Sequence, residues 1–188
     1  RDSDISLSLQ DGRDNSPDAS QLQATEVTVP ADGPSITLSD APEAEENVPQ
    51  SGGLSLQEIY ARSIDSVVSI SCSTNGGTST GTGLVISEDG YLVTNCHVID
   101  DARSVTVQFS NQRVLPAAVV GKDATSDLAV LFVEAEDLTP AVFGNSDSLR
   151  VGDSVCAIGD PLGVELRGTM TDGIVSAINR DISTNGRT

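Results

Sequence analysis

Positive charges, cysteines and long apolar runs are scarce in this sequence, and each shortage disfavours a class of protein. The 188 residues include ten lysines and arginines against 28 aspartates and glutamates, which gives a net charge of -18. Nucleic acids and anionic membrane surfaces are disfavoured as partners, because both bind clustered lysine and arginine. No apolar run is long enough to span a bilayer, and no signal peptide is recognised. The chain starts at Arg1 without a methionine, so we expect a fragment whose N-terminal targeting segment is missing.

The three cysteines, Cys72, Cys96 and Cys156, show no C-x-x-C spacing. A zinc site and a disulfide-rich scaffold are therefore not predicted. Cys72 alternates with Val68 and Ile70 in a predicted strand, which favours a small buried side chain. A bridge between Cys72 and Cys96 stays open as the less favoured alternative, since sequence alone fixes no connectivity.

Residues 1–53 differ in composition from the rest of the chain. They contain five prolines, eleven acidic residues, two arginines and no aromatic residue. Low hydrophobicity and charge repulsion predict a disordered acidic linker that is dispensable for folding. An acidic interaction tail is the alternative that the same residues allow.

Order is predicted from Leu54 onward. Ser55 and Glu58 have the spacing of a capping box, which predicts a short helix to about Ser63. Short β-rich runs then follow, divided by glycine, asparagine and aspartate, and this spacing is typical of an all-β barrel or sandwich. The predicted strands are 67–72, 83–87, 91–94, 104–109, 114–121, 128–133, 154–158, 165–171 and 174–179.

The only histidine, His97, follows the apolar run 91–93. An imidazole can take and return a proton near neutral pH, as a general base must, although a lone histidine is more often structural. Asp127 stands directly before the apolar run 128–133, where a turn or cap residue is the plainer interpretation. Histidine followed by aspartate is the chain order of the first two members of one type of Ser-His-Asp triad.

Six short motifs surround these two residues in a fixed order. They are 81–86 (GTGLVI), 90–98 (GYLVTNCHV), 126–131 (SDLAVL), 144–152 (GNSDSLRVG), 157–163 (AIGDPLG) and 173–177 (GIVSA). The series resembles the HtrA/Deg family of trypsin-like serine proteases, and the resemblance covers Leu54 to Thr188.

This resemblance implies a chymotrypsin-like double β-barrel with the active site between the barrels. Residues 54–139 would form the complete first barrel, and 140–188 would begin an incomplete second one. His97 would be the general base and Asp127 the carboxylate that orients it. In the family, the nucleophile motif Gly-Asn-Ser-Gly-Gly-Pro follows the Gly-Ile-Val-Ser-Ala stretch. This sequence ends at Thr188, before that motif. We therefore expect this fragment to be inactive alone.

Ser146 is the serine most easily mistaken for the nucleophile, because Gly-Asn-Ser-Asp resembles the opening of that motif. Asp147 and Ser148 stand where the family has two glycines. Ser146 is therefore predicted to be a turn residue.

No cofactor and no metal are predicted. A calcium loop starting at Asp123 would need glycine at its sixth position, which is Leu128. Gly81 and Gly83 match neither a dinucleotide fingerprint nor a P-loop, and they more plausibly permit close backbone packing or a bulge.

The resemblance implies a serine endopeptidase that cleaves unfolded or misfolded proteins outside the cytoplasm. It also implies a trimer, a membrane anchor in a missing N-terminal segment and a possible downstream PDZ domain. The alternative is a non-catalytic polypeptide-binding protein with a protease-like fold. A Gly-x-Ser-Gly-Gly motif beyond Thr188 would favour the enzyme.

Overall fold

Six antiparallel strands close into a β-barrel, and two further strands pair beside it, in the computed structural model, which describes residues 27–33, 53–160 and 168–178. The helix and strands of these ranges are α1 (Leu56–Ser63), β1 (Val67–Thr74), β2 (Gly77–Val85), β3 (Tyr91–Thr94), β4 (Ser104–Gln108), β5 (Val114–Asp123), β6 (Leu128–Phe132), β7 (Ser154–Gly159) and β8 (Thr169–Ile174). The order around the barrel is β1, β2, β3, β6, β5, β4, and β4 pairs with β1 to close it. Closure leaves no edge of the barrel open to another chain.

The helix α1 begins where the sequence predicts. Ser55 Oγ accepts a hydrogen bond from the Glu58 N–H at 3.2 Å, and the Ser55 N–H donates to Glu58 Oε2 at 2.8 Å. This capping box satisfies backbone donors that the first helical turn leaves unpaired. Within the part of the chain that the structure describes, no helix is both long enough and apolar enough to cross a membrane.

Alternate strand residues fill the barrel interior. Val68, Ile70 and Cys72 of β1 are buried in it, as their spacing predicts. The other strands add further buried side chains to the same core: Val85, Leu92, Val105, Val107, Ala129 and Leu131. Apolar burial of this kind contributes roughly 25 cal/mol per Å², so this core is the main stabilising feature of the fold.

A second apolar cluster lies outside that core, centred on an aromatic pair. Tyr91 of β3 and Phe132 of β6 are cross-strand partners, with ring centroids 5.0 Å apart. The neighbouring Ile86 is buried with them, and Phe143 packs against the group. This cluster covers one flank of the barrel beside the start of β3.

Residues 27–33 lie against this aromatic cluster. Val27 and Val29 pack on it, and the Tyr91 hydroxyl donates to the Asp32 carbonyl at 3.1 Å. These contacts differ from the disorder predicted for residues 1–53. The two valines bury apolar surface, which the acidic average composition of that segment does not reveal. Most of that linker lies outside the described residues.

Strand β2 begins earlier than predicted. The sequence predicts a strand over 83–87, whereas β2 runs from Gly77 to Val85. Its glycines, serine and threonines show no hydrophobic alternation, yet they pair with β1 in one unbroken register. Pairing with a neighbouring strand thus overrides a weak local preference.

Strand β8 replaces the two strands predicted for the end of the chain. The predicted strands 165–171 and 174–179 leave Asp172 and Gly173 between them, but both residues lie within β8 and pair with Cys156 and Val155 of β7. The cross-strand ladder decides the backbone here, since a turn preference is a local effect only. Residues 165–167 and 179 lie outside the described ranges.

Gly90→Ala is expected to destabilise the barrel strongly. Gly90 has φ of +105°, and a Cβ added there would lie 2.1 Å from the carbonyl oxygen of Val133. The Val133 N–H donates to the Gly90 carbonyl at 2.9 Å, so the two segments cannot separate without losing this bond. We expect the free energy of unfolding in urea to fall by about 2 to 4 kcal/mol. Gly76→Ala is the control, since nothing lies within 4 Å of its added Cβ; equal losses would contradict the argument.

The three cysteines are free thiols, so the alternative bridge between Cys72 and Cys96 is absent. Cys72 and Cys96 are buried, whereas Cys156 is half-buried. Burial raises the pKa of the Cys72 thiol to about 11, which leaves little reactive thiolate at pH 8.

A thiol reagent at pH 8 is therefore expected to modify Cys156 first in the folded chain. Cys72 and Cys96 should react only after guanidinium unfolds the barrel. The order is measured by mass spectrometry of digests taken during the reaction. Modification of Cys72 as fast as Cys156 in the native chain would contradict the buried position.

Candidate active site

Strand pairing brings His97 and Asp127 together. β3 and β6 are antiparallel neighbours, with Thr94 opposite Ala129. His97 follows Thr94 in the one-turn 3-10 helix Cys96–Val98, and Asp127 stands two residues before Ala129. Both residues therefore leave the sheet at the same end of the barrel.

The Asp127 carboxylate binds both the ring and the backbone of His97. His97 Nδ1 lies 2.7 Å from Asp127 Oδ2, and the His97 N–H donates to Oδ1 at 2.9 Å. Because a carboxylate oxygen accepts, the neutral imidazole carries its proton on Nδ1 and keeps the lone pair on Nε2. The His97 side chain is 66% exposed and the Asp127 side chain 27%, so the ring lies open while the carboxylate is largely covered. The contact that the sequence predicts between the two side chains is present.

The turn that carries Asp127 is held by Asp123. The Asp123 carboxylate accepts from the Thr125 N–H at 3.0 Å, the Ser126 N–H at 3.2 Å and Ser126 Oγ at 2.7 Å. The Ser126 hydroxyl and these backbone N–H groups lower the pKa of the Asp123 carboxyl. Asp127 itself has φ of +55°, in the left-handed region that aspartate tolerates better than most residues.

The only lysine joins the two segments that meet at the site. Lys122 Nζ lies 3.1 Å from Asp100 Oδ1, which connects the end of β5 to the turn after His97. The hydrogen bond and charge of Asp100 raise the pKa of Lys122. Both side chains are exposed, so solvent screens the pair and it should contribute little to stability.

Gly81 lets the histidine turn pack closely on β2. A Cβ added to Gly81 would lie 2.6 Å from a Val98 methyl group, and one added to Gly83 would lie 2.7 Å from Ile70 Cδ1. Val98 directly follows His97, so the missing side chain at Gly81 allows the turn to sit close to the barrel. Of the two explanations offered for these glycines, close packing is confirmed.

Asp160 is a buried carboxylate that sequence reasoning missed. It is 4% exposed, accepts a hydrogen bond from the Ser69 hydroxyl, and accepts one from the Gly168 N–H at 2.6 Å. Its own N–H donates to Thr82 Oγ1 at 2.9 Å. Asp160 therefore ties the β7–β8 pair to β1 and β2 of the barrel. Its sequence signal is an aspartate before Pro161 in the motif 157–163, which carries only the family resemblance.

Ser146 occupies a one-turn 3-10 helix, Ser146–Ser148, rather than a position beside His97 in a hydrogen-bonded pair. The Asn145 side chain accepts from the Asp147 N–H at 2.9 Å and caps this turn. Within the described residues, the hydrogen bonds of His97 go to Asp127. The geometry agrees with a turn role for Ser146.

Comparison with known proteins decides the family of this barrel and its histidine–aspartate pair. The family described as "Trypsin-like peptidase domain" matches residues 81–188, which is more than half of the chain. The chain belongs to this family. The resemblance drawn from its motifs is thereby confirmed at the family level.

HtrA-type proteases are among its relatives. The serine protease PepD of Mycobacterium tuberculosis is 42% identical over 70% of this chain and 30% of that protein. A probable periplasmic serine endoprotease, DegP-like, of Halomonas elongata is 45% identical over 55% of this chain and 22% of that protein. The chain thus spans less than a third of the length of either relative.

Solved structures give the same result for the fold. A variant of the HtrA-type protease AlgW with a tripeptide has a TM-score of 0.64 and 35% identity, covering 68% of this chain and 42% of that one. A serine endoprotease from Yersinia pestis has a TM-score of 0.61 and 35% identity, covering 67% and 46%. The predicted trypsin-like fold class is confirmed, with the first barrel closed, and the two-stranded β7–β8 pair is consistent with a partial second barrel.

Proposed function

We propose that this chain supplies the base and the orienting carboxylate of an HtrA-type serine endopeptidase. The observation that carries the proposal is the double contact of Asp127 with His97, at 2.7 Å to Nδ1 and 2.9 Å to the backbone N–H. A structural histidine bonded to a carbonyl does not need this arrangement, whereas a general base does.

In the proposed reaction, His97 Nε2 takes the proton of a serine hydroxyl as that oxygen attacks the scissile carbonyl. His97 then gives the proton to the leaving amine. Asp127 keeps the imidazole proton on Nδ1 and stabilises the imidazolium without becoming protonated itself. The serine and the backbone N–H groups that stabilise the oxyanion are expected beyond Thr188.

We infer that the substrates are polypeptides and that the protein works outside the cytoplasm. Several relatives carry the names periplasmic endoprotease and DegP-like, which supports both statements. The family resemblance alone implies four further features, which are part of this proposal. They are unfolded or misfolded proteins as the specific substrates, a trimer, a PDZ domain and a membrane anchor. The division into 1–53, 54–139 and 140–188 belongs to the same proposal.

The test compares the 188-residue chain with a form extended past Thr188. Both are treated with a fluorophosphonate probe and with unfolded casein. We expect the extended form alone to become labelled, at a serine within a Gly-x-Ser-Gly-Gly peptide, and to cleave casein. Ser146→Ala in the extended form should change neither result.

Two outcomes would overturn this reading. Labelling at Ser146 would place the nucleophile within the chain. An extended form that binds casein without labelling or cleavage would favour the non-catalytic polypeptide-binding protein.

A further inference from the structure

Three consecutive residues that follow β3, residues 95–97, donate hydrogen bonds to Asp127, which directly precedes β6. The Cys96 N–H donates to the Asp127 carbonyl at 3.1 Å, and the His97 N–H donates to Asp127 Oδ1 at 2.9 Å. The Asn95 side chain adds two contacts from a single nitrogen, Nδ2, which lies 3.2 Å from the Asp127 carbonyl and 3.4 Å from Oδ2. Asp127 is thus bound through its backbone and its carboxylate together.

The chemistry of Asn95 fits this position. Its two neighbours are a carbonyl oxygen and a carboxylate oxygen, which only accept, so the NH₂ end of the amide must face them. One hydrogen can point at each oxygen. A serine or threonine hydroxyl in the same place has a single hydrogen and could satisfy one contact only.

These contacts stabilise an unusual backbone conformation at Asp127. Its φ of +55° lies in the left-handed region, which is less favourable for aspartate than for glycine. The Asn95 amide and the Cys96 N–H both bind its carbonyl, which holds the peptide in this conformation. The amide also contacts Oδ2, the same oxygen that meets His97 Nδ1, and so opposes rotation of the carboxylate away from the ring.

We propose that Asn95 is a positioning residue for the His97–Asp127 pair. Its side-chain amide fixes the backbone and the carboxylate of Asp127 so that Oδ2 stays on His97 Nδ1. This inference rests on the proposed function, because it assigns a role within the same site.

Asn95→Asp is the most informative variant, since it keeps the size of the side chain and replaces both donors with a repelling carboxylate. In the form extended past Thr188, we expect kcat on a peptide substrate to fall about 10- to 100-fold. KM should stay within about twofold, because the Asn95 amide binds Asp127, so its loss should disturb the catalytic groups more than substrate binding. Asn95→Ala should show the same split, with a smaller loss.

Asn75→Asp is the matched control. Asn75 is an exposed asparagine at the turn between β1 and β2, and the variant introduces the same charge without a contact to Asp127. We expect its kcat and KM to equal those of the unmodified protein. Equal kcat for Asn95→Asp and Asn75→Asp would overturn the inference.

A spectroscopic measurement on the 188-residue chain separates positioning from loss of folding. His97 is its only histidine, so its two imidazole ¹⁵N resonances report the tautomer without assignment. At a pH where the ring is neutral, we expect the Nδ1–H tautomer to dominate in the unmodified chain and in Asn75→Asp. Asn95→Asp and Asn95→Ala should show a mixture, while the amide spectrum of the barrel keeps its dispersion.

The two hypotheses fail in different ways. If Asp127→Asn leaves both the His97 tautomer and kcat unchanged, the proposed function is wrong. If Asp127→Asn alters both but the Asn95 variants alter neither, only the positioning role of Asn95 is wrong.

Discussion

Asp127→Asn is expected to lower kcat by about 10,000-fold in the form extended past Thr188. An asparagine of the same shape presents an NH₂ group or a weak amide oxygen to His97 Nδ1. The ring then loses the carboxylate that keeps its proton on Nδ1, and the imidazolium formed during the reaction loses its counter-charge. The measurement is steady-state hydrolysis of a peptide substrate.

The matched control is Asp137→Asn. Asp137 is exposed and has φ of +59°, so it repeats the chemical change and the backbone region of Asp127 away from the histidine. We expect its kcat to stay within about twofold of the unmodified protein. A similar loss in both variants would show that the effect comes from the backbone and not from the contact with His97.

Asp160→Ala is expected to lower the free energy of unfolding by about 2 to 4 kcal/mol. The variant removes the acceptor that binds the Ser69 hydroxyl and the Gly168 N–H in a buried position. It also leaves a small cavity between the barrel and the β7–β8 pair. Asp160→Asn keeps one acceptor oxygen, and we expect it to lose less.

Urea denaturation of the 188-residue chain measures this effect, followed by far-ultraviolet circular dichroism and tyrosine fluorescence. Asp172→Ala is the control, because Asp172 is an exposed aspartate of the neighbouring strand β8, and we expect a change within about 0.5 kcal/mol. If Asp160→Ala unfolds at the same urea concentration as the unmodified chain, Asp160 does not tie the two sheets together.

The strands that the sequence predicts best carry buried aliphatic residues, either alternating with polar ones or in short apolar runs. The structure places β1, β3, β4 and β6 each within two residues of its predicted bounds. The predicted bounds of β2 and β8 were wrong because glycine, serine, threonine and aspartate dominate these two strands. Their strand conformation comes from pairing with β1 and β7, which a local pattern does not reveal.

The histidine–aspartate contact could be predicted because both residues stand beside apolar runs and within recognisable motifs. Asn95 and Asp160 could not be found in the same way. Asn95 acts on a residue 32 positions away, and Asp160 bonds Ser69 across 91 positions. Such roles depend on which strands are neighbours in the folded barrel, so they can be recognised only from the three-dimensional structure.

The contacts of residues 27–33 were hidden by composition. A linker rich in acidic residues and prolines predicts disorder as a whole, and the average conceals two valines with a matching apolar cluster. Val27 and Val29 can pack on that cluster because Tyr91 and Phe132 lie side by side on neighbouring strands. Averages over 53 residues cannot show so short an interaction.

The most direct test of the central claim is the non-additivity of His97→Ala and Asp127→Asn. A base and the carboxylate that orients it act as one unit, so removing the second after the first should cost little more. kcat/KM on a peptide substrate is measured for both single variants and the double variant of the extended form. We predict that the double variant is no more than about threefold slower than His97→Ala alone. Losses that multiply would show that the two residues act independently, and the histidine–aspartate pair would not be the catalytic unit of this protein.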